Sequence, residues 1–463
     1  MRSSDQPSLW ESTTAAAGLA GRFLQDAAIT FPLEILAEAS LLDEHRHELE
    51  GATVAVRTDT QLTTALILLE LDGVAGRIVL CTPDVSTEQL RAAVTVAGVT
   101  ALISERPLPE LSHAGVACIT CSSRHITPLQ SPRPSGRQTE WALFTSGTAG
   151  TPKIVVHRLH TLIGAIRPGE AAGRIFGTFY DIRRYGGLQI LLRALMGGGS
   201  MVLSGLNEPI GDFLRRIDRA AVTFLSGTPT HWRRALLSEA AVAFAPTDVR
   251  LSGEAADQAI LDKLRATYPA ARVCHAFAST EAGVAFEVTD GLAGFPAEWI
   301  GQVRAGVELR VTNDTLEIRS PRTAERYVGS NVGPFKNVEG YVDTKDLVER
   351  QGGRYYFKGR RDGVINVGGL KVHPEEVETI VNRHPCVEMS QVRAKRNPFI
   401  GEVVVVDVVL SPRAPYRRGS QALELEILDA CRQFLPSYKV PATVRVVPSL
   451  AVSPAGKLIR ARG

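Results

Sequence analysis

Several features are scarce or missing in this 463-residue sequence. Cysteine is rare. Six residues cannot build a disulfide framework in a chain this long, which points to a reducing cytoplasm. Cys118 and Cys121 make one C-x-x-C pair with no second pair, so a zinc site is not expected. Charge of one sign is lacking too. The 52 Lys+Arg against 49 Asp+Glu leave a formal net charge of +3, too small a bias for a nucleic-acid or anionic-membrane partner. No apolar run reaches the ~20 residues that a membrane-spanning helix needs, and the opening MRSSDQPSLWESTT has no signal-peptide core. The sequence contains no His-Glu-x-x-His, no Gly-x-Ser-x-Gly and no loop ending in Gly-Lys-Ser/Thr. The common zinc-protease, hydrolase and P-loop readings therefore fall away. No internal repeat or low-complexity tract is present. What remains is an ordinary globular mix, 44% hydrophobic and 22% charged, with core enough for one large domain and a smaller one.

From about residue 50 strand and helix patterns alternate. Ala52–Val56, Arg77–Cys81 and Thr100–Ile103 read as apolar strands, and Gln61–Leu71 and Ser86–Ala97 as helices. Such alternation predicts layered α/β structure with crossover connections. Residues 127–139, rich in Pro and Ser, read as a loop. The alternation returns in helix Leu188–Leu195, strand Met201–Leu203, helix 256–267 and strand 272–274. Residues 307–357 differ. Short alternating runs (Glu308–Val311, Thr315–Arg319, Arg354–Lys358) separated by Asn, Asp and Gly predict antiparallel hairpins. Beyond Gly359 the pattern is a small α+β unit, with strands at 364–367, 386–394, 402–410 and 443–447 and helices at 374–383 and 421–435. A domain boundary is expected near 360, giving domains 1–358 and 359–463.

Four segments hold chemistry-bearing residues. In Trp141–Lys153 an apolar strand enters a run of hydroxyls, glycines, a proline and a lysine. Small residues let backbone N–H groups approach an anion, and the hydroxyls and lysine add donors and charge. In His275–Gly283 an aromatic, Phe277, precedes Ser279, Thr280 and Glu281 at a strand end; the carboxylate suits a hard cation such as Mg²⁺. In the third, Tyr341–Asp346 leads to Gly359-Arg360-Arg361-Asp362 and on to Gly369. A carboxylate such as Asp346 at a strand end can accept ribose hydroxyls. The fourth is Ser453–Arg460, where Gly456 precedes Lys457. Taken singly, each also reads as an ordinary turn, cap or solvated charge. His157 and His160, three apart on a possible helix, read as surface residues.

Together and in this order, the four segments resemble the adenylate-forming superfamily of acyl- and aryl-CoA ligases, peptide-synthetase adenylation domains and luciferase. The likeness runs from about residue 50 to 460 and is closest in pattern to acyl- or aryl-CoA ligases. It implies an α/β fold: a large N-terminal domain of layered α/β subdomains with a small β-barrel-like part, then a small mobile α+β C-terminal domain. It also implies ATP-dependent formation of acyl-AMP from a small-molecule carboxylic acid, with Mg²⁺, and transfer to CoA or a carrier-protein phosphopantetheine. By resemblance, Thr145, Ser146, Gly147, Thr148, Gly150 and Lys153 would cradle the β- and γ-phosphates, and Gly253 and Glu254 would form the adenine-side turn. Phe277 would lie against adenine. Thr280 and Glu281 would orient the α-phosphate and Mg²⁺. Asp346, assisted by Arg360, would bind the ribose. Asp362 would be the hinge, Lys457 the catalytic lysine, and Gly369 would line the thiol tunnel. Tyr180, Asp181, Arg184, Tyr185, Gly227 and Ala276 would border the acyl pocket. A homodimer is left open.

The sequence departs from the family pattern at several points. Ala149 and Ala278 stand where Thr and Gly are usual, Asn366 where Lys is common, and Arg184 where many CoA ligases have His. A second register would set Tyr180-Asp181 against the Phe-Asp pair of amino-acid activators, with Asp181 meeting the substrate ammonium. With little before residue 50, a trimmed N-terminal subdomain is expected. The rival functions are a free-standing enzyme loading a carrier protein with an acyl or amino acid, and a non-catalytic nucleotide-binding relative.

Overall fold

The computed structural model describes residues 6–108, 115–133, 136–145, 153–329, 333–397, 401–412, 414 and 421–460. The large domain carries two mainly parallel sheets. One is seven-stranded, with Thr53–Arg57 flanked by Arg77–Leu80 and Ala101–Ser104, and Glu140–Phe144 and Ile154–Arg158 beyond the former. The other is eight-stranded. Its adjacent strands Phe224–Gly227, Asp248–Ser252 and Arg272–Ser279 run parallel, and Gly283–Val288 closes one edge antiparallel.

Between the sheets lies a continuous core that includes the helices Gln61–Leu71 and Tyr185–Met196. All residues of the first are buried, as expected of a helix apolar on every side and covered from both faces. It begins where the spacing predicted, with the Thr60 side chain accepting from Thr63 N.

The sequence before residue 50 is not empty of structure. Helix Leu9–Ala17 starts in a capping box between Ser8 and Glu11. Phe23–Gln25 then joins the eight-stranded sheet parallel to Ser200–Leu203, and Thr30–Pro32 folds back on it. Asp72 ties this region to the first sheet. One carboxylate oxygen accepts from Leu9 N at 2.7 Å and the other from Trp141 Nε1 at 2.8 Å.

The part expected to be barrel-like is a six-stranded antiparallel sheet. Its long strands Val342–Gln351 and Arg354–Arg360 form a hairpin beside Thr315–Arg319. A single 3-10 turn, Arg361–Gly363, leads out of it. The small C-terminal domain has a five-stranded sheet covered by helices Pro374–Val381 and Gln421–Phe434, around its own core of Val, Ile and Leu. The chain is thus mixed α/β, with a large N-terminal and a small C-terminal domain. No helix among the described residues is long and apolar enough to cross a membrane.

Candidate active site

The parallel strands of the eight-stranded sheet end at Thr178, Gly227, Ser252 and Ser279. Directly after those ends come Tyr180–Asp181, Thr228, Gly253–Glu254 and Thr280–Glu281. Carboxyl ends of parallel strands collect chain turns and open backbone groups on one side, the usual place for a ligand in such sheets.

The C-terminal lysine loop is seated on this edge. Thr228 caps the helix Pro229–Leu236, accepting from His231 N at 2.9 Å, and its hydroxyl donates to Gly456 O at 2.5 Å. Glu254 accepts from Thr230 N at 3.0 Å and from Leu458 N at 3.4 Å. Gly253 has φ +86, and a Cβ there would sit 3.5 Å from Lys457 Cε, so the lysine stem lies along bare backbone. Gly456 has φ +72, and a Cβ on it would land inside the His231 ring. That ring is buried, and burial pushes the imidazole down to about 3. Its Nδ1 accepts from Thr228 N at 3.2 Å, which leaves the proton on Nε2.

Burial also lowers the Lys457 ammonium, opposed by Glu254, deepened by Arg360, then opposed by Asp346. Among the described residues no carboxylate lies within ion-pairing reach of its Nζ. A half-buried cation without a counter-ion carries a desolvation cost, and an anionic ligand would supply the missing partner. Asp346 sits opposite Arg360 across the hairpin, with Arg360 Nη1 3.7 Å from its Oδ1. Lys345 before it takes φ +62, and this kink turns the strand at the carboxylate. Burial pushes the Asp346 carboxyl up to about 6, against the pull of Arg360 and Lys457.

Around Thr280 and Glu281 the structure adds two residues that the sequence reading missed. His157, expected at the surface of a helix, is instead fully buried in strand Ile154–Arg158. Its Nε2 bonds Thr280 O at 2.7 Å and its Nδ1 pairs with Thr161 Oγ1 at 2.9 Å. Burial drives it down to about 4, so it is neutral. Tyr327 donates to Glu281 Oε1 at 3.3 Å and lies 5.2 Å from Lys153 Nζ, ring centroid to nitrogen. A signal for His157 existed: it follows a three-residue apolar run, Ile154–Val156, opposite the strand that leads to Thr145. The neck of that loop is closed by Thr145 N to Lys153 O at 2.9 Å. Ser146, Gly147, Thr148 and Gly150 lie outside the described residues.

The expected acyl-pocket residues are mostly engaged. Tyr180 is buried, its hydroxyl donating to Ser252 O at 2.6 Å. Asp181 is clamped by Arg183, at 2.8 Å from Nε and 2.6 Å from Nη2, so its charge is already met. Arg184 reaches the Asp84 carboxylate at 2.6 Å. Tyr185 is buried beside His157, centroids 5.5 Å apart. Gly227 faces Phe179 too closely for any side chain, and Ala276 lies beside Ser252 in register. Phe277 already stacks on Phe357 at 5.5 Å and 7° and on Phe286 at 5.7 Å. Gly369 is at the exposed tip of the hairpin Ile365–Val372 with open space around it, and Asp362 pairs with Lys345 at 3.4 Å in the linking turn. Neither is brought to the lysine loop in this domain arrangement. A groove of about 890 Å³ elsewhere, bordered by Arg167, Arg193 and Trp299, is lined by none of the residues expected at the site.

Residues 39–327 match the AMP-binding enzyme family and residues 376–457 its C-terminal domain. The chain belongs to the AMP-binding enzyme family. It is 27% identical over 320 residues to the 2-succinylbenzoate–CoA ligase of Salmonella typhimurium, covering 66% of this chain and 64% of that one. It is 26% identical over 355 residues to a fatty acid–[acyl-carrier-protein] ligase of Mycobacterium marinum, covering 69% and 66%. The chain thus spans under two thirds of the length of either relative. Its fold is that of the crystal structure of an anthranilate CoA ligase in complex with anthranoyl-AMP, with TM-score 0.79, 18% identity, and coverage of 99% and 97%.

Proposed function

We propose that the protein activates a carboxylic acid with ATP and passes the acyl group to a thiol, that of CoA before any other. The observation that carries this reading is the half-buried Lys457 ammonium, which has no counter-ion among the described residues and whose loop is seated on the sheet edge at Thr228, Gly253 and Glu254. Membership of the family supports it, as do relatives that include a CoA ligase and a carrier-protein ligase.

In the first step a carboxylate oxygen bonds to the α-phosphorus of ATP. The bond from that phosphorus to the bridging oxygen breaks, and pyrophosphate leaves with the electron pair. Like charges meet in this step, and positioned cations and donors lower its barrier. Lys457 would hold the α-phosphate and the incoming carboxylate. Asp346, with Arg360, would accept the ribose hydroxyls. Thr280 and Glu281, braced by His157 and Tyr327, would face the α-phosphate. Glu281 is a partly buried carboxylate of the kind that holds Mg²⁺ together with substrate phosphates, and Mg²⁺ there would neutralise phosphate charge. Lys153 and the 145–153 loop would take the β- and γ-phosphates. Phe277, flanked by two phenylalanines, offers adenine an edge.

In the second step the thiol sulfur attacks the acyl carbon and AMP leaves. The small domain, residues 359–463, would swing about Asp362 to withdraw Lys457 and bring in the Gly369 hairpin. The six free thiols suit a reducing cytoplasm. The clamp on Asp181 weighs against an amino acid as the acid. The test is pyrophosphate release with a panel of carboxylic acids, with CoA or a phosphopantetheinylated carrier as acceptor. No release with any acid would refute the reading, and a carrier-only second step would move the acceptor.

A further inference from the structure

The small domain meets the large one at a second place, built around a β-bulge. In strand Val387–Asn397 the register shifts between Val387 and Met389, so Glu388 is the extra residue. A bulge re-aims a side chain out of its sheet, and Glu388 lands against the large domain with its side chain fully buried. Lys263 of helix Gln258–Thr267 donates to its carboxylate. Arg233 of helix Pro229–Leu236 donates to Glu388 O at 2.8 Å and to Asp257 Oδ2 at 2.6 Å. The same Asp257 oxygen accepts from Asn382 Nδ2 of the small domain at 3.0 Å, while Oδ1 caps the helix at Ile260 N. The Asn382 Oδ1 accepts in turn from the Ser390 hydroxyl at 2.8 Å.

This contact is geometrically demanding yet incompletely satisfied. Glu388 Oε1 is buried and has no hydrogen-bond partner. A buried carboxylate with one oxygen unpaired pays a desolvation cost that water would remove. Parting the domains gives it that water. The contact therefore fixes one orientation sharply while adding little net adhesion, which is what a domain that must leave again requires.

We propose that Arg233 and Lys263 are positioning residues that clamp the Glu388 bulge and hold the small domain in the orientation that inserts Lys457. They would act on adenylation and not on acyl transfer. This rests on the two-step reaction proposed above.

The test uses the full chain and Lys263→Ala, at a side chain that is 37% exposed and so tolerant of change. Pyrophosphate release should fall about tenfold or more, the scale for stranding a buried charge. Transfer from supplied acyl-AMP to CoA should be unchanged or faster. Adding Glu388→Gln, which removes the stranded charge, should restore part of the loss, a rescue that a merely structural lysine would not show. Labels at the exposed Val242 and Leu425, as Val242→Cys and Leu425→Cys with Cys118→Ser, should report the domains further apart in Lys263→Ala. Equal loss of both half-reactions, or an unchanged label separation, would overturn the proposal. An unsubstituted protein that releases no pyrophosphate would refute the proposed function, and the label separation would still decide on the clamp.

Discussion

Replacing Gly456 by alanine should lift Lys457 out of its seat. The substitution meets two obstacles. At φ +72 an L-residue costs about 1–2 kcal/mol. The new methyl would also enter the His231 ring, which has nowhere to go. The ring is buried, stacks on Phe179 at 5.4 Å and meets Tyr180 edge-on at 5.7 Å. Forcing a methyl into such packing costs about 1–3 kcal/mol. Undocking the loop relieves both, so the docked population should fall by about 2–5 kcal/mol. At about 1.4 kcal/mol per tenfold, the smaller figure is already about 30-fold. Pyrophosphate release under saturating ATP and acid reads this directly. Transfer from supplied acyl-AMP should hold. The double variant Gly456→Ala with His231→Ala should recover the packing share but not the backbone share. Undiminished pyrophosphate release by the single variant would refute the docking argument.

If, as proposed, the lysine serves only one domain orientation, Lys457→Ala should abolish adenylation and spare transfer from acyl-AMP; equal loss in both assays would remove that role. Asp346→Ala should raise the KM for ATP sharply. The folded Asp346 holds its proton up to about 6, above the ordinary carboxylate value. Its protonation therefore favours the folded chain at low pH, and that contribution is lost as pH rises through about 6. In the ribose-binding role proposed for it Asp346 would act ionised, so the KM for ATP should rise as pH falls through about 6, and Asp346→Asn should flatten that profile. Tyr327→Phe removes one hydrogen bond to Glu281, worth about 0.5–1.5 kcal/mol; kcat should drop by about 2- to 12-fold with the melting temperature little changed, and an unaltered kcat would show that Glu281 needs no brace.

Much of the frame was legible because it is local. The helix Gln61–Leu71 occupies the residues that its apolar run predicted, and the strand and helix alternation of residues 53–104 follows the same logic. The first fifty residues were underread. Their strands are two or three residues long and depend on pairing: Phe23–Gln25 with Ser200–Leu203, far away in the chain, Thr30–Pro32 with Phe23–Gln25, and Ala39–Ser40 with Thr127–Pro128. Yet the Ser8–Glu11 capping box was there to be read. The His157–His160 spacing misled because it straddles a boundary: the strand ends at Arg158 and the helix begins at Leu159. At the candidate site the sequence offered residue types only: hydroxyls, carboxylates and a lysine in four separate segments, each of which also reads singly as an ordinary turn, cap or solvated charge. The cross-chain pairings were not legible. That Asp181 would be spent on Arg183, or that Gly456 would need to be bare because of His231, depends on placement and not on pattern.

The amino-terminal hairpin has a practical consequence for anyone trimming the gene. A fragment cut to begin at residue 39, where the family match starts, would delete Phe23–Pro32 and with it the cover over Ser200–Leu203. That strand is buried along its whole length. Stripped, it would present a flat row of unsatisfied amides and carbonyls to every other copy in the tube. Inclusion bodies from such a clone would report a missing hem and say nothing about whether the enzyme works.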